Sequence, residues 1–349
     1  GRQVFLHRPR FLAISEFGPR SLVYHEGRAY RVVRALLSGG SREATTADRQ
    51  LPTQSVRICR VCGAGHFSSP SNDQASLCHA CGSSLDKAEI VASIYRIENV
   101  ATRPAERITA NDEERQRQGF ELQTTFEWAM RDQVLDVRTA MAMDDEGAVA
   151  RLSYGPGATI TRINKGLRRR ADKKTFGFLI DPVSGNWATN EDEEADESEK
   201  VDPTTTRTQR IVPSVRDHKN ALLLQPSLAG LTQNALATVQ HALLRGIEAV
   251  YQLEEGECLA EPIPRRDDRA GYLLYEATEG GAGVLTRLVQ PGALSQIARA
   301  ALRIMHLDVS EHGPLPAETS ALHDTAGTSC VAACYRCLLS YYNQPDHEL

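Results

Sequence analysis

The sequence lacks any apolar run close to the roughly 20 residues that a helix needs to cross a bilayer. Its first residues show no charged segment followed by an apolar stretch, so no signal peptide is visible. Eight cysteines in 349 residues are too few for a small secreted disulfide scaffold. We therefore expect a cytoplasmic protein with reduced thiols and no membrane partner. Because the chain starts without methionine and stops abruptly, we interpret it as part of a longer protein.

The motifs of common catalytic machineries are also missing. There is no G-x-x-x-x-G-K-[ST] phosphate loop, no H-E-x-x-H helix and no Ser/His/Asp grouping. Glu279-Gly280-Gly281-Ala282-Gly283 resembles a phosphate-binding turn, but it lacks a full dinucleotide fingerprint, and a tight strand-to-helix connection is the simpler interpretation. We predict no catalytic residue in this chain, so any enzymatic activity would belong to a parent protein.

The first of two cysteine clusters has the spacing of a zinc ribbon. Two residues separate the cysteines of each pair, so both thiolates can reach one tetrahedral ion, and a glycine follows each pair. The alternatives are a redox pair or unligated core cysteines, and His66 and His79 lie close enough to compete as ligands. The pattern favours a four-thiolate structural zinc site with these ligands: Cys59, Cys62, Cys78 and Cys81.

The second cluster, Cys330-x3-Cys334-x2-Cys337, supplies three thiolates within eight residues and is one ligand short. The candidates for the fourth ligand are His347, His323, His312 and Cys258. We choose His347, which can return to the ion through a short loop, and treat Cys258 as a packing residue. The alternative is three buried cysteines without metal. Together the clusters predict two zinc ions.

The formal net charge of −5 conceals two oppositely charged segments. Residues 191–199 contain seven acidic residues, and residues 162–174 contain seven basic ones against a single aspartate. The basic residues are candidates for contacts with nucleic-acid phosphates, although a solvated surface is an equal alternative. We hypothesise that the acidic segment folds over the basic one and competes with nucleic acid for it. The basic candidates are Arg162, Lys165, Arg168, Arg169, Arg170, Lys173 and Lys174.

The hydrophobic pattern predicts an α+β fold, in which a small β domain carrying a zinc ribbon precedes a mixed α/β zinc-binding domain. The first forty residues, including the apolar run at 11–14, read as β, with a hairpin around Glu26-Gly27. Apolar residues at helical spacing predict helices near 231–250 and 293–306. The predicted segments are a β segment (1–57), the zinc ribbon (58–88), a β-rich segment (89–190), an acidic linker (191–206) and the zinc-binding domain (207–349).

With these residues identified, the chain resembles the C-terminal region of large DEAD/DEAH-type helicases that end in an MrfA-like zinc-binding domain. The motifs that carry the resemblance are Leu274-Tyr275-Glu276 leading into residues 280–285, and residues 330–338 followed by Ser340-Tyr341-Tyr342-Asn343-Gln344. Residues 22–27 and 30–32 are similar to the β segment that follows the motor in those helicases. The resemblance covers most of the chain and is densest from residue 208 to the end.

The resemblance implies that the parent is an ATP-driven superfamily-two helicase or translocase that acts on DNA, in phage defence of the DISARM type. ATP and Mg²⁺ would then act only at the parent's motor. The family's zinc ligands map onto Cys330, Cys334 and Cys337, although family members often supply four cysteines here.

The leading hypothesis is thus an accessory module that engages nucleic acid or couples the motor to partners. The second hypothesis is a zinc-stabilised adaptor that binds other subunits of a defence complex without touching DNA. A third, a hydrolase using the C-terminal metal, would need an open coordination position.

Overall fold

The computed structural model of the protein describes residues 5–37, 50–68, 75–105, 119–188, 208–278, 281–310, 312–316 and 318–347. The chain divides into two compact units, neither of which is a continuous stretch of sequence. Unit 1 comprises Gly1–Arg60, Ala64–Thr125 and Thr161–Asp217; unit 2 comprises Val61–Gly63, Phe126–Ile160 and His218–Leu349. The segment boundaries predicted from the sequence stay predictions.

Unit 1 opens with a helix where the sequence pattern indicated a strand. Helix α1 (Arg10–Glu16) follows Pro9, whose carbonyl accepts hydrogen bonds from the backbone N–H groups of Leu12 and Ala13. Phe11 and Ile14 are both buried, three residues apart on one face of the helix. The prediction of a strand at 11–14 was wrong because a short apolar run fits either element.

A three-stranded antiparallel sheet follows. Glu26 and Gly27 both have positive φ, as a two-residue hairpin turn requires, and the register places His25 opposite Arg28. The predicted hairpin is confirmed. The strands are β1 (Leu22–His25), β2 (Arg28–Leu36) and β6 (Asn99–Pro104).

One core of unit 1 contains Val56, Val91, Ile163 and Val212, which lie on four different strands. Strand β3 (Gln54–Ile58) pairs antiparallel with β4 (Gly65–Ser68) and β5 (Glu89–Arg96), and β5 pairs in parallel with part of β13 (Gln209–Pro226). Strand β12 (Phe178–Ile180) pairs with the start of β13, and β7 (Phe120–Glu127) pairs with β11 (Ala148–Leu167). Strands β11 and β13 contribute residues to both units.

Unit 2 combines strands with the α-helices that the structure describes after α1. Its strands are β8 (Met130–Arg131), β9 (Val134–Leu135), β10 (Arg138–Met143), β14 (Cys258–Arg265) and β15 (Asp268–Glu276). Its helices are α2 (Gln233–Tyr251), capped by the Thr232 side chain, α3 (Val284–Leu288) and α4 (Ala293–Ile304). Helices α2 and α4 confirm the two predicted helices.

The core of unit 2 packs these helices against β10, β11, β13 and β15. Leu222, Ile247, Leu285 and Ile297 are among its most buried residues. A second cluster joins Ala242 of α2 and Ala301 of α4 to Cys337 and Leu338. The chain ends in short 3-10 helices at Thr319–Ala321, Gly327–Ser329 and Tyr341–Asp346.

The fold is therefore mixed α+β and mostly sheet. None of the described helices is long and apolar enough to span a membrane.

Candidate metal centres

Among the described residues, two groups of side chains bring four metal-ligand atoms together within 4.8 Å of one another. The first group contains Cys59, Cys62, Cys78 and Cys81, the four cysteines that the spacing predicts. The second contains Cys330, Cys334 and Cys337 together with His306.

The first group is built from two knuckles with the same backbone geometry. The backbone N–H of Cys59 donates to Ala64 at 3.0 Å, and that of Cys78 donates to Ser83 at 2.8 Å. Gly63 and Gly82 both have φ of 74°, a conformation that side chains other than glycine rarely adopt. These glycines allow each knuckle to turn sharply and present two sulfur atoms to one point.

The sulfur spacing of the first group fits zinc. The Sγ atoms of Cys59 and Cys81 lie 3.7 Å apart. A tetrahedral ion with Zn–S bonds of about 2.3 Å separates neighbouring sulfurs by about 3.8 Å, whereas a disulfide holds them about 2.05 Å apart. The four thiolates therefore suit a closed structural zinc site.

His66 and His79 lie beside the first group but are not members of it. Their Nδ1 atoms are 3.3 Å apart, and their rings pack edge to face. Burial and the neighbouring His66 lower the pKa of His79, which favours the neutral ring. The four cysteines complete the site without either histidine.

The second group is organised by hydrogen bonds around Cys334 and Cys337. The backbone N–H of Cys334 donates to the Sγ of Cys337 at 3.0 Å, and Cys330 Sγ lies 3.8 Å from Cys337 Sγ. His306 Nε2 is 3.4 Å from Cys334 Sγ. Tetrahedral zinc places nitrogen and sulfur ligands about 3.6 Å apart. Three thiolates and one imidazole therefore also fit a closed zinc site.

His306 reaches this site because helix α4 ends immediately before it. Met305 caps the helix, and His306 adopts a left-handed conformation with φ of 67°. The backbone N–H and the side-chain hydroxyl of Thr325 both donate to the His306 carbonyl, at 2.7 and 2.8 Å. A β-bridge between Leu307 and Asp324 adds to this contact. The loop around Thr325 thus fixes the histidine opposite the cysteine cluster.

The structure replaces the predicted fourth ligand. His347 lies outside the group, with its Nε2 near Ser340 O at 3.0 Å and Asn343 Oδ1 at 2.8 Å. The prediction of His347 is therefore corrected to His306. His312 and His323 are exposed, and Cys258 is buried on β14, where burial raises the pKa of its thiol to about 12.

The sequence carried one signal for His306 that spacing alone does not reveal. The amphipathic pattern of α4 ends next to this histidine, so the sequence indicates that His306 lies at the C-terminal end of a helix. His306 was not among the four candidates for the fourth ligand, because its contact depends on the bridge between the segments around residues 306 and 324.

The thiols of the second group differ in their readiness to ionise. A hydrogen bond from His306 and backbone N–H groups lower the pKa of Cys334 to about 6. Burial and the neighbouring thiols raise the pKa of Cys330 to about 12. A metal cation would favour the thiolate at every position, because zinc binds the deprotonated form.

The predicted basic segment separates into a strand part and a loop part. Arg162 and Lys165 lie on β11, where Arg162 donates to the carbonyl of Phe11 at 3.0 Å. The Lys165 side chain is only 3% exposed and forms a buried ion pair with Glu89. Lys165 is therefore not accessible for a phosphate contact, which corrects that part of the prediction.

The loop part leaves more of its cations on the surface. Arg168, Arg169, Lys173 and Lys174 are exposed, and Arg170 is anchored to Glu121 by an ion pair of 2.6 Å. Asp172 accepts hydrogen bonds from the backbone of Lys174 and the hydroxyl of Thr175, which shapes the turn. The acidic residues 191–199, which we expected to cover this segment, lie outside the described residues.

The glycine turn after β15 is organised by a buried carboxylate. Glu276 Oε1 accepts from the backbone N–H groups of Val284 and Leu285, and its Oε2 accepts from Asn220 Nδ2 at 3.1 Å. A Cβ on Gly281 would lie 1.7 Å from Glu276 Oε2. The carboxylate occupies the start of α3, where a phosphate would have to bind. This arrangement agrees with a tight strand-to-helix connection.

One comparison with known proteins concerns the part of the chain around the second site. Residues 239–338 match the MrfA Zn-binding domain. They contain all four members of the second group and form an MrfA-like zinc-binding region.

A solved structure, the DUF1998 helicase MrfA bound to DNA, is similar to 95% of this chain with 12% identity and a TM-score of 0.35. The chain spans 29% of the length of that helicase. A search of curated proteins found no significant match.

Proposed function

We propose that this chain is the zinc-binding accessory part of an ATP-dependent DNA helicase or translocase, and that it engages nucleic acid or couples the motor to partners. The observation that carries the proposal is the match of residues 239–338 to the MrfA Zn-binding domain, because that match encloses a complete four-ligand site. ATP and Mg²⁺ would act at the motor of the larger protein.

The DNA-contacting element in this proposal is the basic loop, defined as residues 168–174. Its exposed cations, Arg168, Arg169, Lys173 and Lys174, suit contacts with phosphates. The strand residues Arg162 and Lys165 serve the fold instead. Since the Arg168 side chain donates to the Phe120 carbonyl and the Lys173 side chain donates to the Arg168 carbonyl, Arg169 and Lys174 are the clearest positions to test.

The test is the salt dependence of DNA affinity. Each phosphate contact contributes about 0.7–0.9 to the slope of log affinity against log salt concentration. Replacing Arg169 and Lys174 together with alanine should weaken binding and reduce the slope by about 1.4–1.8. The matched control replaces Arg28 and Lys87, two exposed cations outside the loop, and removes the same charge. Unchanged affinity and slope in the loop variant would contradict the proposal.

One observation favours the adaptor hypothesis as a second candidate. Val331, Tyr335, Tyr341 and Tyr342 are more than half exposed close to the second cysteine cluster in sequence. Exposed tyrosines and aliphatic side chains are typical of protein–protein interfaces. Under this hypothesis zinc only stabilises the fold, and DNA affinity is absent or insensitive to salt.

The proposal includes a role in phage defence, because the sequence resembles DISARM-type helicases. It also places the protein in the cytoplasm with other subunits of a defence complex. The efficiency of phage plating on cells with and without the gene for this chain tests that role. Equal plating efficiencies would remove phage defence from the proposal and leave zinc binding unaffected.

A further inference from the structure

The carboxylate of Asp346 is buried at the end of the 3-10 helix Tyr341–Asp346, with its side chain 2% exposed. Its Oδ2 atom lies 2.6 Å from Arg269 Nη2 and 2.9 Å from His241 Nε2, and its Oδ1 atom lies 2.7 Å from Arg266 Nη1. His241 is on α2, Arg269 is on β15, and Arg266 is in the turn before β15. Asp346 therefore ties the end of the chain to two elements of unit 2.

Both oxygen atoms of the Asp346 carboxylate have hydrogen-bond partners. Burial opposes ionisation of Asp346, but hydrogen bonds from His241 and the two arginines outweigh it and hold its pKa below the ordinary carboxyl range. Arg269, which is 1% exposed, also donates to Gln240 and to the Arg266 carbonyl. A buried charge with this many partners fixes a position, because each lost partner would leave a charge unsatisfied.

The 3-10 segment that Asp346 anchors also holds the residues that directly follow Cys337. Asn343, in the same 3-10 helix, accepts from the Ser340 backbone N–H at 2.8 Å and donates to the Leu338 carbonyl at 2.7 Å. From the other side, Arg245 of α2 donates to the Cys337 carbonyl at 3.1 Å. The carbonyls of Cys337 and Leu338 are thus held by two separate elements, α2 and the 3-10 helix Tyr341–Asp346.

His347 completes the same segment. Its Nε2 atom lies 2.8 Å from Asn343 Oδ1 and 3.0 Å from Ser340 O. The histidine that the spacing indicated as a ligand therefore closes the segment that holds Cys337, while His306 joins the ligand group.

We propose that residues 340–347, which lie beyond the matched domain at 239–338, are part of the second zinc site and that Asp346 is its positioning residue. Asp346 contacts no ligand atom and acts through Asn343 and Leu338 on the orientation of Cys337. Partners of metal ligands orient them and commonly change metal affinity by 10- to 100-fold when they are lost. The proposal rests on the zinc site alone and is independent of DNA binding.

The test is the zinc affinity of each site in the full chain, measured by competition with a chromogenic chelator. The ion of the second site is identified as the one absent from a Cys330→Ser variant. Asp346→Asn should lower the affinity of the second site by about 10- to 100-fold and leave the first site unchanged. The first site is thus an internal control for general damage to the fold.

Two adjacent arginines supply a milder variant and its matched control. Arg266→Gln removes one contact to Asp346 at a position that is 39% exposed, so the protein should fold even if Asp346→Asn does not. It should lower second-site affinity by a smaller factor. Arg265→Gln removes the same charge from a residue that pairs only with Asp267 and Asp268 in the described structure, and it should change neither site.

Two results would overturn the proposal. One is second-site affinity equal to that of the wild type in Arg266→Gln and, where it folds, in Asp346→Asn. The other is an equal loss of affinity at both sites, which would indicate general destabilisation.

Discussion

Gly63 and Gly82 adopt the same backbone conformation in the two knuckles of the first zinc site, but their surroundings differ. A Cβ on Gly63 would lie 2.0 Å from Ile263 Cγ2, whereas a Cβ on Gly82 would meet no atom within 4 Å. Gly82→Ala should therefore lower the free energy of unfolding by about 1–2 kcal/mol, the cost of a left-handed alanine. Gly63→Ala should cost about 1–3 kcal/mol more through overpacking. Urea unfolding of the zinc-loaded variants measures both, and equal losses would contradict the expected steric contribution of Ile263.

Cys334 should be the most reactive thiol of the second site once zinc is removed. Its pKa of about 6 makes it largely thiolate at pH 7, whereas Cys330, with a pKa of about 12, stays protonated. Alkylation of the metal-free protein should modify Cys334 first, and its rate should fall as the pH decreases through about 6. Peptide mass spectrometry after short exposures to iodoacetamide gives the order. Modification of Cys330 before Cys334 would contradict the prediction.

The metal-site residues also show which contacts a sequence can reveal. Seven cysteine positions were predicted from spacing, because two or three intervening residues bring thiolates to one ion by local geometry. The eighth ligand, His306, could not be predicted that way. Its position depends on where α4 ends and on hydrogen bonds from Thr325, which are contacts between segments distant in the sequence.

At the scale of single elements, β11 is where the sequence and the structure differ most. Its 20 residues include Gly155, Pro156 and Gly157, which interrupt the residue pattern typical of a strand. The cations near its C-terminal end suggest a solvent-exposed surface. Burial of Lys165 requires Glu89 on β5, which spacing cannot predict. The hairpin at Glu26-Gly27 and helices α2 and α4 were predictable because turn residues and apolar periodicity are local signals.

The buried pair of Lys165 and Glu89 gives a prediction for this element. Lys165→Met should lower the free energy of unfolding by about 3–5 kcal/mol, because it leaves a carboxylate poorly paired inside the protein. Adding Glu89→Gln should recover part of this loss, since the glutamine carries no charge and Gln123 remains within reach. A double-mutant cycle by urea denaturation measures the coupling. If the Lys165→Met variant has wild-type stability but binds DNA more weakly, the prediction is contradicted and Lys165 is an exposed DNA contact.

At the scale of the whole molecule, the fold class was predictable, but the division into units was not. Alternation and periodicity indicated an α+β fold with a zinc ribbon before a mixed α/β region. The segments expected from the sequence stay predictions, and no local pattern indicates that the two compact units interleave along the chain. This happens because β11 and β13 are long enough to supply residues to both units, and strand length was obscured by internal glycines and prolines.

The two complete ligand groups predict two zinc ions per chain by elemental analysis. Cys59→Ser should remove the first ion and Cys330→Ser the second, and the double variant should bind neither. Structural zinc contributes directly to folding free energy, so each loss should also lower thermal stability. Cys258→Ala is the matched control, because this buried cysteine belongs to neither group and its removal should leave two ions bound. One ion in the intact chain would contradict one site, and the variant that retains that ion would identify the site that holds it.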